Sequence, residues 1–176
     1  SHWRQERITK VADEIAAQMG AERIGTCEIQ DTGRPFYGVY YGQAALPHAP
    51  ERLFYLDNAV IRGLKVYNVE TQSDIPVYDL GAAAGRDPYE MFLGGARSII
   101  KITNPNAAQE RRLIVFRDSF GSSIAPLLAA GYSEITLVDI RYISPLSLGK
   151  LIDFTKADDV LFLYSASVIN NSETIK

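Results

Sequence analysis

A serine placed where a buried strand gives way to a helix can serve as a nucleophile. The run Arg112-Leu113-Ile114-Val115-Phe116-Arg117-Asp118-Ser119-Phe120-Gly121-Ser122-Ser123 has that pattern. Leu113 to Phe116 are continuously apolar, as the interior of a sheet requires, and the small and polar residues after them open a helix. A hydroxyl at such a turn stands exposed, close to the free N–H groups of the first helical turn. The chemistry this serves is acyl transfer, in which a base takes the serine proton and amide N–H groups hold the oxyanion. The plainer reading of Asp118-Ser119 is a helix cap, since both residue types satisfy orphan amides.

A base must come from elsewhere, and the chain has two histidines, His2 and His48. His2 lies in Ser1-His2-Trp3, at the entry to a helix, where the positive end of the macrodipole favours a neutral imidazole. His48 stands between Pro47 and Pro50 in a loop and reads as a solvated residue. Ser119 and His2 are therefore the candidate nucleophile and base.

The elements that must bring them together can be read from periodicity. Ile8, Val11, Ala12, Ile15 and Met19 recur at helical spacing, which predicts a helix from about Gln5 to Met19, stopped by Gly20. Residues 24–67 differ, with short β-prone pieces at Gly38-Val39-Tyr40-Tyr41 and Val60 to Tyr67, divided by turn signals at Asp31-Thr32-Gly33 and Pro47-His48-Ala49-Pro50. This reads as an inserted β-hairpin region within a single domain. Its aromatics (Phe36, Tyr37, Tyr40, Tyr41, Phe54, Tyr55 and Tyr67) suit either a carbohydrate-facing platform or ordinary strand positions.

From Ser98 onward strands and helices alternate. Strands are expected at Ser98 to Thr103, Leu113 to Phe116, Glu134 to Asp139 and Asp159 to Tyr164, with one helix following the second strand to about Ala130 and another from about Pro145 to Phe154. Apolar strands alternating with helices imply a mostly parallel sheet covered on both faces. In such sheets chemistry gathers beyond the carboxyl ends of the strands, where Ser119 and Asp139-Ile140-Arg141 both fall.

Composition bounds the function. The net charge is −3, with acids and bases mixed throughout, so no basic stripe exists for nucleic acid to follow. Hydrophobic residues at 47% against charged ones at 22% describe an ordinary globular core and argue against disorder. The single Cys27 has no ligand spacing around it, so neither an intrachain disulfide nor a metal site is expected. No apolar run approaches the ~20 residues of a membrane span.

Ser1-His2-Trp3 with its helix, Asp87-Pro88-Tyr89, Phe92-Leu93-Gly94-Gly95, Asp118-Ser119-Phe120 and Val138-Asp139-Ile140-Arg141-Tyr142 together resemble the bacterial DHHW-motif proteins. These stand with the SGNH-like O-acetyltransferases that modify exopolysaccharides, the alginate acetylation enzymes among them. The resemblance implies an α/β/α sandwich of SGNH type, akin to flavodoxin, with His2 as base and Ser119 as nucleophile. It puts an orienting Asp immediately before Ser1, so the chain reads as a piece of a longer protein. It implies an acetyl-serine intermediate, a polysaccharide acceptor, and acetyl groups delivered through a membrane-bound O-acyltransferase outside the cytoplasmic membrane, with no cofactor. Gly95 would supply a second oxyanion N–H and Arg141 would bind an anionic substrate group or pair with Asp139. An esterase using the same residues, and a non-catalytic carbohydrate-binding module, are the alternatives.

Overall fold

A computed structural model describes residues 2–38 and 49–171. His48, Tyr40 and Tyr41 lie outside the described residues. The chain opens with a 3-10 turn, Gln5–Arg7, and helix α1, Thr9–Gln18. The predicted stop is present: Gly20 has φ 63°, a left-handed conformation that ends a helix at little cost when no Cβ is present. The buried stripe of α1 is Ile8, Ala12 and Ala16, while Val11, expected on that face, is 42% exposed.

Strands β1, Glu28–Phe36, and β2, Glu51–Asp57, pair antiparallel as a separate two-stranded sheet. The expected turn at Asp31-Thr32-Gly33 is instead a bulge inside β1. Asp31 Oδ1 accepts from the Gly33 N–H at 2.8 Å, Gly33 has φ 68°, and pairing with β2 resumes at Pro35. The hairpin ends at Asp57. Val60 to Tyr67, expected within the β insertion, divides into helix α2, Ala59–Gly63, and strand β3, Lys65–Asn68, which joins the main sheet. Asn58 starts α2 by accepting from the Ile61 N–H at 2.9 Å, and this cap selects helix over strand there.

The main sheet continues with β4, Ser73–Ile75, β5, Ile99–Thr103, β6, Arg112–Arg117, β7, Glu134–Val138, and β8, Asp159–Leu163. Helices α3, Ser119–Leu128, α4, Pro145–Leu151, and α5, Ala166–Asn170, follow β6, β7 and β8. The strand order is β4-β3-β5-β7-β6-β8. Only β7, β6 and β8 run parallel; β4, β3 and β5 pair antiparallel. The expectation of a mostly parallel sheet is thus corrected to a mixed α/β sheet. The reason lies in the link 104–111, which has no helix and is too short for a crossover, so β6 returns antiparallel to β5.

Side chains alternate across the sheet and divide the core. Ile100, Ile102, Leu113, Val115, Ile135 and Leu137 point to one face, where Ile8 and Ala12 of α1 and Ile124, Ala125, Leu127 and Leu128 of α3 pack on them. Ile99, Ile114 and Val138 point to the other, against Leu148 of α4 and Ile152. Each of these large side chains, removed from water, contributes about 1.5–3 kcal/mol. Gln5 joins three segments from its buried position: it donates to Ser123 O at 2.7 Å and to the Tyr78 hydroxyl at 3.0 Å, and accepts from the Leu56 N–H at 2.8 Å. The front of the chain is thereby fastened to α3.

Candidate active site

Strand β6 runs buried between β7 and β8, and its end delivers Asp118 and Ser119 to the edge of the sheet. Asp118, 2% exposed, is the residue that caps α3: its Oδ1 accepts from the Phe120 N–H at 2.9 Å. Its Oδ2 accepts from the Ser165 N–H at 2.7 Å, which ties the end of β8 to the same turn. The capping role therefore falls to Asp118. Ser119 is the first residue of α3, half-buried, and its hydroxyl makes no hydrogen bond with another described residue. By position its N–H is among the orphan donors of a helix start.

His2 precedes the first turn in an irregular segment. Its ring stacks on Tyr89 with centroids 4.0 Å apart and planes at 11°. Tyr89 is in turn fixed by the 3-10 turn Pro88–Met91, which Asp87 caps, and by its hydroxyl, which donates to the Trp3 carbonyl at 3.0 Å. Trp3 stacks on Phe120 at 4.6 Å. His2 and Ser119 are each the chain neighbour of one member of that pair, so the two segments that carry them are packed together. Both ring nitrogens of His2 are buried and have no hydrogen-bond partner among the described residues. Burial lowers the His2 pKa, and the charges of Asp87 and Asp118 oppose that shift. The imidazole is thus held neutral, the form a general base requires.

The remaining candidates have other engagements. Leu93, Gly94 and Gly95 form a left-handed run with φ of 53°, 70° and 77°. A Cβ on Gly95 would stand 2.9 Å from Glu90 Cγ, so glycine is required there twice over. The Gly95 N–H donates to the Phe92 carbonyl at 3.1 Å, so this amide closes a turn and is not free for an oxyanion. Arg141 grips Asp139 with two bonds, Nε to Oδ1 at 2.8 Å and Nη2 to Oδ2 at 2.6 Å, and lies over the Tyr142 ring. Of the two roles weighed for Arg141, the pairing with Asp139 is the one present.

Periodicity alone did not single out Tyr89, Trp3 with Phe120, or Arg117 as parts of this site. Tyr89 had one signal, its place in an Asp-Pro-Tyr turn. Of the aromatics of the middle region, Phe36 and Tyr55 do structural work, Phe36 by Tyr89 and Tyr55 against Tyr78, while Tyr37 and Tyr67 are exposed. A cleft of about 280 Å³ lined by Lys101, Arg112, Glu134, Thr136 and Asp153 lies at the other end of the strands, where β6 and β7 begin. Among the described residues no group of three or more His, Cys, Asp or Glu is placed to hold a metal ion, and no helix is long and apolar enough to cross a membrane.

No family model and no curated protein matches the sequence. Solved structures do. The chain is similar to a DHHW family protein from Eubacterium siraeum DSM 15702, with 22% identity and a TM-score of 0.72 over 99% of this chain and 60% of that one. It is similar to PatB1 of Bacillus cereus with a sulfonyl adduct, at 21% identity and a TM-score of 0.71 over 96% of this chain and 59% of that one. A second PatB1 structure gives 20% identity and a TM-score of 0.68, over 96% and 61%. The chain spans about three fifths of the length of the structures it matches. At these identities the likeness is one of fold.

Proposed function

We propose that the chain is part of a DHHW-type, SGNH-like serine acyltransferase that moves acetyl groups onto an extracellular polysaccharide. The observation that carries this reading is the division of labour at the β6–α3 turn. Asp118 takes the cap and leaves the Ser119 hydroxyl without a partner among the described residues, while the Trp3–Phe120 stack packs the segment carrying the half-buried, neutral His2 against the same turn. PatB1, similar in fold, has been captured with a sulfonyl adduct, the kind of product a sulfonyl reagent forms with an activated nucleophile.

In the proposed reaction His2 accepts the Ser119 proton as Oγ attacks the acetyl carbonyl, and the carbonyl π pair moves onto oxygen. The Ser119 N–H, at the positive end of α3, stabilises that oxyanion. Collapse breaks the bond to the donor's leaving group, which takes the proton from His2. A sugar hydroxyl then gives its proton to His2 as its oxygen attacks the acetyl-serine carbonyl, and collapse breaks the bond to Ser119 Oγ, which takes that proton back from His2. Water as the acceptor would make the protein an esterase.

The test is release of acetate from p-nitrophenyl acetate, with a sugar oligomer added as acceptor. Ser119→Ala and His2→Ala should each cost about 10³-fold or more. Acetylated oligomer identifies a transferase and free acetate alone an esterase. Equal rates in wild type and Ser119→Ala would reject both.

A further inference from the structure

Beneath Ser119 lies a guanidinium that the proposed chemistry does not use. Arg117 ends β6 and is 0% exposed, so its charge is withdrawn from water altogether. Among the described residues no carboxylate forms an ion pair with it: Arg141 takes both oxygens of Asp139, although the register of β6 and β7 brings Arg117 and Asp139 out side by side. Arg117 instead reaches three places around the turn. Its Nη1 donates to the carbonyl of Asp118 at 3.3 Å and to Ser122 Oγ at 3.0 Å, and its Nη2 donates to the carbonyl of Arg97 at 3.3 Å. Its Nε has no hydrogen-bond partner among the described residues. Burial lowers its pKa, the charges of Asp139 and Asp118 offset only part of that cost and Arg141 adds to it, so a stable fold would ordinarily use an apolar residue in its place.

Helix α3 is shaped to fit it. A Cβ at Gly121 would lie 2.5 Å from Arg117 Cβ and 2.7 Å from Cγ, so the first turn of the helix rests directly on the arginine stem. Its reach to Arg97 ends just past the left-handed run at Leu93, Gly94 and Gly95.

We propose that Arg117 is a positioning residue, which locks the Asp118–Ser119 turn and the loop after Gly95 into one rigid unit so that the Ser119 hydroxyl is held at its attack position. The inference rests on the reading of Ser119 as nucleophile. It requires the planar fork of arginine, because one group must serve carbonyls on two different segments and a serine at once.

The experiment compares wild type with Arg117→Met, Arg117→Lys, Ser122→Ala and Ser119→Ala. Each is treated with phenylmethanesulfonyl fluoride well below its melting temperature, and adduct formation is followed by intact mass alongside kcat and KM for p-nitrophenyl acetate. Arg117→Met should label about ten- to a hundredfold more slowly and lose kcat with KM little changed, as expected for a displaced reacting atom. Lysine should not rescue it. Ser122→Ala, which removes one anchor and fits the same space, should slow labelling about threefold, a smaller part of the same effect. It remains informative if Arg117→Met does not fold. Wild-type labelling in Arg117→Met, or in Ser122→Ala where the former is unfolded, with none in Ser119→Ala, would overturn the positioning role and leave the nucleophile standing. An unlabelled wild type would overturn both.

Discussion

Asp118 offers the sharpest test of how this turn is built, because its two oxygens do separate jobs. One caps α3 through Phe120 and the other receives Ser165 from the far side of β8. Removing a cap costs about 1 kcal/mol, and stranding a buried amide costs about 2 kcal/mol more. Asp118→Ala should therefore lose about 3 kcal/mol, which for a chain of this size lowers the melting temperature by roughly 6–12 °C. Asp118→Asn keeps one acceptor oxygen and turns a donor toward the remaining amide, so it should fall between the two. Thermal denaturation followed by circular dichroism measures both. An Asp118→Ala protein that melts within about 2 °C of wild type would refute the reasoning. Sulfonylation of Ser119 separates structure from chemistry: Asp118→Asn should label within about tenfold of wild type when folded. If it melted normally yet lost about 10⁴-fold in labelling, Asp118 would be the acid that orients His2, and the structural assignment would be wrong.

The lowered pKa of His2 predicts that the acid limb of the pH–rate profile falls below 6.5, the ordinary histidine value, and that Asp87→Asn moves it lower still by removing an opposing charge. The same shift bears on stability: the unfolded chain takes up the proton first, so stability should decline as pH falls below about 6.5 and level off below the folded pKa, as urea titrations across pH would show. Gly121→Ala would add about 1 kcal/mol in an open helix, but with Arg117 Cβ 2.5 Å away it should destabilise by about 1–3 kcal/mol, measured by the same melts. Gln5→Leu should cost about 2–4 kcal/mol, because it strands the Leu56 N–H and takes a donor from the Ser123 carbonyl and the Tyr78 hydroxyl; a loss below about 0.5 kcal/mol would show that water replaces its bonds.

What could be read in advance was local. The run Leu113 to Phe116 is apolar without interruption, and the structure makes it a strand with Ser119 at its helical corner. Strand direction was harder, because Ile99 to Thr103 looks the same whichever way it runs; the clue was the short link after it. At Asp31-Thr32-Gly33 the turn chemistry is real, but pairing to β2 carries the strand through, so tertiary partners overrode a local signal. Val60 and Ile61 favour strands by type, yet the Asn58 cap won. The candidate residues Ser119 and His2 could be picked out by type, whereas what surrounds them could not. Tyr89 on His2 and Arg117 under Ser119 are non-local pairings, and Arg117 in particular reads in sequence as a charge leaving a strand for water.

His2 and Trp3 belong to no helix or strand and are held by two ring stacks, one phenol-to-carbonyl bond and the Gln5 hub behind them. Ser119, by contrast, is mounted on the central sheet. The two halves of the proposed machinery are thus held by different means, one by a few ring contacts and the other by the hydrogen-bonded sheet, and contacts of the first kind open at lower cost. Inactivation on warming should then be an early, reversible event that leaves the circular dichroism of the sheet untouched, with the working temperature range set by a few aromatic contacts rather than by the core.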